Sequence, residues 1–308
     1  MTSLATAGPY FDPQVNGYAG IDFNEDALTL DGLAQACQAM RDDGIAQFLP
    51  TLITDSLDAL QRRIRNLVAI SNQDPLCREM VAGFHIEGPF MQPAAGYIGA
   101  HPAAHAIPPS PDAARRLFDA GGGQIRIVTL APERDPDGLV TRFFADQGVV
   151  VSAGHTNASR DQLLRSLDAG LKMVTHLGNG CPVELPRHDN IIQRVLSVSD
   201  RLHISLIADG HHIPLFALQN YLRLIPREHV VLTTDAIAAA GLGPGTYPLA
   251  GRFVRVAEND APRFDDSGNL AGSAATMPQM VAHLQSLGIS AADQQAFCHD
   301  NIVRLLGL

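Results

Sequence analysis

Val149-Val150-Val151-Ser152-Ala153-Gly154-His155 opens a stretch, residues 149–176, whose reading decides the fold. Three consecutive valines suit a short buried strand. Ser159 and Gln162 then stand at capping-box spacing, so a helix opens there and stops at Gly170. A second strand-like run closes in Met173-Val174-Thr175-His176. One strand–helix–strand unit therefore ends both of its strands in an imidazole.

The unit recurs along the chain. Strand-like runs occupy residues 9–16, 45–54, 81–87, 125–131, 149–155, 173–176, 203–209 and 230–235, eight in all. Amphipathic helices fall between them. One spans 57–70, with Leu60, Ile64, Leu67 and Val68 at helical spacing; another opens at Ser110-Pro111 and stops at Gly121-Gly122-Gly123. Eight alternating units predict an α/β fold, a (β/α)8 TIM-like barrel forming a single domain over residues 1–308. An open doubly wound sheet is the alternative, but polar residues at most strand ends favour closure. Residues 241–268, rich in Gly, Pro and charge, are expected to make a hairpin excursion above the barrel mouth, with strand-like pieces at 253–256 and 263–264. Closing helices are expected at 278–287 and 291–305.

Bulk properties narrow the function. A chain of 308 residues with 46% hydrophobic and 18% charged residues is globular. A formal net charge of −10 argues against nucleic-acid and anionic-membrane partners. Cys37, Cys77, Cys181 and Cys298 form no C-x-x-C pair and read as reduced thiols of a cytoplasmic protein. Residues 1–10 lack the basic and apolar regions of a signal peptide, and no apolar stretch approaches the ~20 residues of a membrane span.

The chemistry gathers at strand ends, where barrel enzymes keep their active sites. Glu87, His155 and His176 offer one carboxylate and two imidazoles, a donor set for Zn²⁺ that also accommodates Fe²⁺, Co²⁺ or Mn²⁺. Three protein ligands leave a fourth position open, as in catalytic sites. Ordinary strand-capping polar residues are the bland alternative; for one His it would win, for three on separate strands metal ligation is favoured. Asp235, after Val231-Leu232-Thr233-Thr234, is placed to move a proton, and can also cap a following helix. Of the adjacent His211 and His212 at most one faces the pocket; His212 is assigned there, as a donor to a developing oxyanion. His85 shares Glu87's face and is expected to support the site from below. Gln14 and Asn16 occupy the spacing at which two-metal barrels carry His-x-His; both are poor ligands, which favours one metal. Asn179-Gly180 is a turn whose N–H groups can hold an anion, or simply a turn. His101, taken alone, reads as a surface-loop histidine, and Cys181 as inert.

Gln14-Val15-Asn16-Gly17, His85-Ile86-Glu87-Gly88-Pro89-Phe90, Gly99-Ala100-His101-Pro102, Ser152-Ala153-Gly154-His155-Thr156-Asn157, Thr175-His176-Leu177, Ala208-Asp209-Gly210-His211-His212, Thr234-Asp235-Ala236 and Leu270-Ala271-Gly272-Ser273 together resemble the N-acetylglucosamine-6-phosphate deacetylases of the amidohydrolase superfamily. The resemblance covers nearly the whole chain in the family's order. It implies that Glu87, His155 and His176 bind one divalent metal and that Asp235 is the acid/base. It implies substrate contacts from His212 and His101, the Asn179-Gly180 backbone near a phosphate, and Leu270, Ala271 and Gly272 along the acetamido end. Arg187 falls where the family reaches the substrate from a neighbouring subunit, implying a homodimer. The expected reaction is hydrolysis of N-acetylglucosamine 6-phosphate to glucosamine 6-phosphate and acetate. Alternatives are another N-acyl amino sugar, a cyclic amide, or a non-catalytic sugar-phosphate binding protein. The sequence departs from the family in three places. The flanking β-rich segments of a small sandwich domain are not expected in this chain. The usual Asn-Ala-Met turn reads Asn179-Gly180-Cys181, and Arg187 lies in an unusual Leu185-Pro186-Arg187-His188-Asp189-Asn190.

Overall fold

All eight expected strands form, with the candidate polar residues at the strand ends or in the turns that follow. The computed structural model describes residues 9–258, 261–264 and 268–308. The strands are β1 (Tyr10–Val15), β2 (Ile45–Ile53), β3 (Phe84–Glu87), β4 (Ile125–Leu130), β5 (Val150–Ala153), β6 (Leu171–Val174), β7 (His203–Leu206) and β8 (Val230–Leu232). They pair in parallel and in sequence order, each with the next. A bridge between Val15 and Ala236 brings the two edges together, with the Asn16 N–H donating to the Ala236 carbonyl at 2.7 Å. Asp12 ties the same seam: its carboxylate accepts from the Thr233 hydroxyl at 2.9 Å and from the Thr234 N–H and hydroxyl. Burial pushes the Asp12 carboxyl up to about 6 despite those donors. This is a (β/α)8 TIM-like barrel.

The helices form where capping signals place them. Ser159 and Gln162 complete a capping box at the start of Arg160–Asp168. Ser110 caps Pro111–Ala120 by accepting from the Ala113 N–H. The excursion contains three antiparallel strands, Gly245–Leu249, Arg252–Val256 and Arg263–Phe264, one more than the two strand-like pieces the sequence predicts. Pro248 hides the first of them, since Pro reads as a breaker yet is tolerated on an edge strand. Of the expected excursion, residues 259–260 and 265–267 lie outside the described residues, as do 1–8 of the N-terminal stretch. Among the described residues no helix is long and apolar enough to cross a membrane.

Strand alternation sorts the barrel interior into layers. At the bottom Phe11, Leu49, Ile127, Val150, Met173 and Val231, each from a different strand, pack on Ile302 of the C-terminal helix. Above them lies a buried polar layer that includes His85, Thr129, Ser152 and Thr175. The ionisable residues stand one step higher, where the strands end.

Candidate active site

A single hydrogen-bond chain underlies the site. The His85 Nδ1–H donates to the Pro13 carbonyl at 3.1 Å, so Nε2 accepts, from the Thr129 hydroxyl at 2.7 Å. Thr129 in turn is 2.8 Å from the Thr175 hydroxyl, and Thr175 is 2.7 Å from Ser152. Burial pushes the His85 imidazole down to about 4, so the ring is neutral and the chain has one direction. His85 thus sits below Glu87, as its position two residues earlier on β3 requires.

Glu87 ends β3, and His155 and His176 follow β5 and β6. Glu87 Oε1 is 2.8 Å from His176 Nε2 and 3.4 Å from His155 Nε2, and the donor atoms of all three lie within 4.8 Å of one another. Nitrogen and oxygen ligands bonded at ~2.0–2.1 Å around a tetrahedral ion stand ~3.3 Å apart, so the spacing suits a metal ion. The Nδ1–H of His155 donates to the Tyr97 carbonyl at 2.7 Å, which turns Nε2 toward Glu87. Burial alone would raise the Glu87 carboxyl, but His101, His155 and His176 hold it well below the usual range. Burial alone would lower the His176 imidazole, but the Glu87 carboxylate carries it up to about 9.

Asp235 stands across the cavity, just beyond β8. Its Oδ1 accepts from Gln14 Nε2 at 3.0 Å and from Asn16 Nδ2 at 2.7 Å. Burial, reinforced by the Glu87 charge and opposed by His176, pushes this carboxyl up to about 6. His155, His176 and Asp235 all have positive φ, 50°, 31° and 51°, and make up three of the five such non-glycine residues described. Backbone strain is concentrated where the reactive groups leave their strands.

The remaining candidates divide. His101, His212, Asn179, Leu270 and Gly272 line the same cavity as the Glu87 cluster and Asp235. His101 is a buried histidine, not a surface one: its Nδ1 accepts from the Thr54 N–H at 3.3 Å, and Nε2 lies 3.6 Å from Glu87 Oε2. Burial, with His155 adding to it, pushes this ring down to about 4. The Nδ1–H of His212 donates to Asp209 Oδ2 at 2.7 Å, so Nε2 is the nitrogen left for the cavity. It accepts there when the ring is neutral and donates only when both nitrogens carry protons. His211 is exposed. Gly180 is outside the cavity lining and supports it from behind; a Cβ there would come within 2.8 Å of the His155 backbone nitrogen. Ala271 is buried against Ile237 and Leu249, beneath the excursion. Gly272, at φ +64°, would drive a Cβ to 2.8 Å from the Asp235 carbonyl. Arg187 is exposed in the 182–190 loop, outside the cavity lining of its own chain. Burial pushes the Cys181 thiol up, which keeps it unreactive.

Several supporting residues had no sequence signal. Tyr97 acts through its carbonyl, which no side-chain pattern reports. Thr54 orients His101, a role set only by tertiary contact, whereas Asp209, which orients His212, stands in the Ala208-Asp209-Gly210-His211-His212 motif quoted above. Asn16, Ile53, Gly99, Ala100, Ile237 and Leu249 complete the cavity wall.

Fold and cluster together define a TIM-barrel hydrolase with a Glu-His-His centre able to hold a metal. No family model matches the chain. The chain is 32% identical over 302 residues to the N-acetylgalactosamine-6-phosphate deacetylase of Shewanella sp. (strain ANA-3), covering 96% of this chain and 73% of the relative. It is 33% identical over 309 residues to the N-acetylglucosamine-6-phosphate deacetylase of Bos taurus, covering 97% and 74%. The crystal structure of N-acetyl-D-glucosamine-6-phosphate deacetylase from Mycobacterium smegmatis superposes with a TM-score of 0.85 at 30% identity, over 97% of this chain and 78% of that one. The chain belongs to the N-acetylglucosamine-6-phosphate deacetylase family.

Proposed function

We infer that the chain hydrolyses the acetamido group of N-acetylglucosamine 6-phosphate, yielding glucosamine 6-phosphate and acetate. The observation that carries this reading is the Glu87-His155-His176 cluster facing Asp235 across one cavity, in a chain of this family. The donor set, one carboxylate and two imidazoles, fits a single divalent ion, for which we propose Zn²⁺. When bound, such an ion polarises a carbonyl and acidifies a water molecule.

The chain's own residues supply the rest. Asp235 takes the proton from the attacking water and returns it to the leaving nitrogen, so the C–N bond breaks to a neutral amine. His212, held in place by Asp209, donates from Nε2 to the acetyl carbonyl oxygen, a contact that requires protons on both ring nitrogens. Asn179, which lines the cavity, faces the sugar phosphate. The test is acetate release from purified, metal-loaded protein given N-acetylglucosamine 6-phosphate, its galactosamine epimer and the dephosphorylated sugars. Turnover confined to unphosphorylated or non-sugar amides would overturn the substrate assignment. The galactosamine epimer belongs in the assay because the Shewanella relative carries that name at comparable identity.

Arg187 extends this reading to a homodimer in which it binds the 6-phosphate of the neighbouring subunit's substrate. Pro182, where the Arg187 loop begins, packs against Gly96 beside the cavity. Asp189 pairs with Arg194 at 2.6 Å, and Asn190 donates to the Pro186 carbonyl, so the loop is held in shape while Arg187 projects outward. A charged hydrogen bond contributes ~1.5–3 kcal/mol, or roughly 10- to 150-fold in affinity. Arg187→Ala should raise KM for the phosphorylated substrate by about that factor and leave KM for the free sugar unchanged. Equal effects on both, or a monomer by light scattering in the active wild type, would remove Arg187 from that role. A cytoplasmic setting suits the four cysteines, all of them unpaired.

A further inference from the structure

Gln14 and Asn16, poor metal ligands by residue type, stand on and just past the end of β1. Their side chains converge on one atom, Oδ1 of Asp235, at 3.0 and 2.7 Å. We propose that these two amides are positioning residues for proton transfer: they occupy Oδ1 of Asp235 and reserve Oδ2 as the oxygen that exchanges the proton. The proposal rests on Asp235 being the acid/base.

Three features carry it. A carboxylate offers only acceptors, so both amides must present their NH₂ groups to it, and neither can flip. For Asn16 the orientation has a consequence: its Oδ1 is buried without a partner among the described residues. Asn16 also lines the cavity; an orphaned buried carbonyl costs stability, and the amide is nonetheless turned so that its NH₂ group serves Asp235. An amide present only to fill space would be replaced without loss by an apolar residue of similar size. Finally, the backbone on which these residues stand is fixed to the backbone of Asp235. The Asn16 and Gly17 N–H groups donate to the Ala236 carbonyl, Asp12 binds Thr233 and Thr234, and Gln14 and Asn16 are themselves buried. The Asp235 peptide is held at φ +51° by this seam. Oδ2 of Asp235 lies on the side of Gly272, 3.8 Å from where a Cβ would stand, and Gly272 lines the cavity. One carboxylate oxygen is thus tied to the barrel seam and the other is turned toward the substrate side.

The test compares Gln14→Met, Asn16→Leu and the double variant with wild type and Asp235→Asn, all metal-loaded. The expected result is a kcat lowered ~10-fold in each single variant and ~100-fold in the double. KM should stay within about threefold and metal content should be unchanged. Asn16→Ser, which restores a short donor, should recover part of the Asn16→Leu loss. A double variant with wild-type kcat overturns the proposal. So does a rise in KM at constant kcat, which would place the amides on the substrate, or loss of metal, which would make them supports of the metal centre. Should the double variant fail to fold, the two singles decide by the same measurements. Undiminished turnover in Asp235→Asn would instead sink the underlying acid/base assignment, so the two failures are distinguishable.

Discussion

Asp235→Asn should fold, retain its metal and lose about a thousandfold in kcat, within the ~10²–10⁴ that general acid–base catalysis supplies. The substitution is isosteric. The retained Oδ1 still accepts from Gln14 and Asn16, so the seam between β1 and β8 stays closed. The new NH₂ group takes the place of Oδ2, and an amide nitrogen cannot accept a proton at neutral pH. The native group is suited to the task because burial and the neighbouring Glu87 push its carboxyl up to about 6, near the pH at which it must both take and return a proton. Stability should change little or rise, since a buried charge is removed while its donors keep a partner. The measurements are kcat and KM by acetate release, metal content and a melting curve. More than a tenth of wild-type turnover at full metal content would remove Asp235 from proton transfer.

The barrel was legible because its signals are local. Most strands are Val-, Ile- or Leu-rich runs, several closed by a polar residue, as in Val230-Val231-Leu232 before Asp235. Helix starts announce themselves through Ser110, Ser159 and their partners. The Glu87-His155-His176 set was readable because all three stand at strand ends, and closure of a parallel barrel brings strand ends together. What could not be read depends on orientation. His101 looks like a loop residue in sequence, and only the fold of its loop over Thr54 buries it. By residue type Gln14 and Asn16 read only as poor ligands; the hydrogen bonds they donate form only when Asp235 arrives from the other edge of the sheet. The strand Gly245–Leu249 was hidden by its Gly and Pro. The positive φ of His155, His176 and Asp235 has no sequence signature, because such residues adopt that conformation only under tertiary constraint.

Glu87→Gln, or chelation of the wild type, should abolish turnover, and the way metal binding depends on pH follows from the same carboxylate. With no ion bound, Glu87 and His176 form a buried pair at 2.8 Å, and the carboxylate carries the imidazole up to about 9. A ligating imidazole must be neutral, so loading displaces the His176 proton. Below about pH 9 the apparent metal affinity should therefore rise about tenfold per pH unit and level off above it, with one proton released. Calorimetry in buffers of different ionisation enthalpy measures that proton; an affinity independent of pH between 6.5 and 8.5 would reject the assignment of His176 as a ligand. Stability of the metal-free protein should run the opposite way. The His176 pKa is raised from 6.5, so the contribution of its pairing is complete below about 6.5 and is lost as pH rises through about 9. The melting temperatures of loaded and chelated protein should accordingly diverge as pH increases from 6.5 to 9. In Glu87→Gln both trends should flatten, because the neutral amide neither charges His176 nor offers an anionic ligand. A Glu87→Gln protein that kept stoichiometric metal and wild-type turnover would show that the ion is held elsewhere.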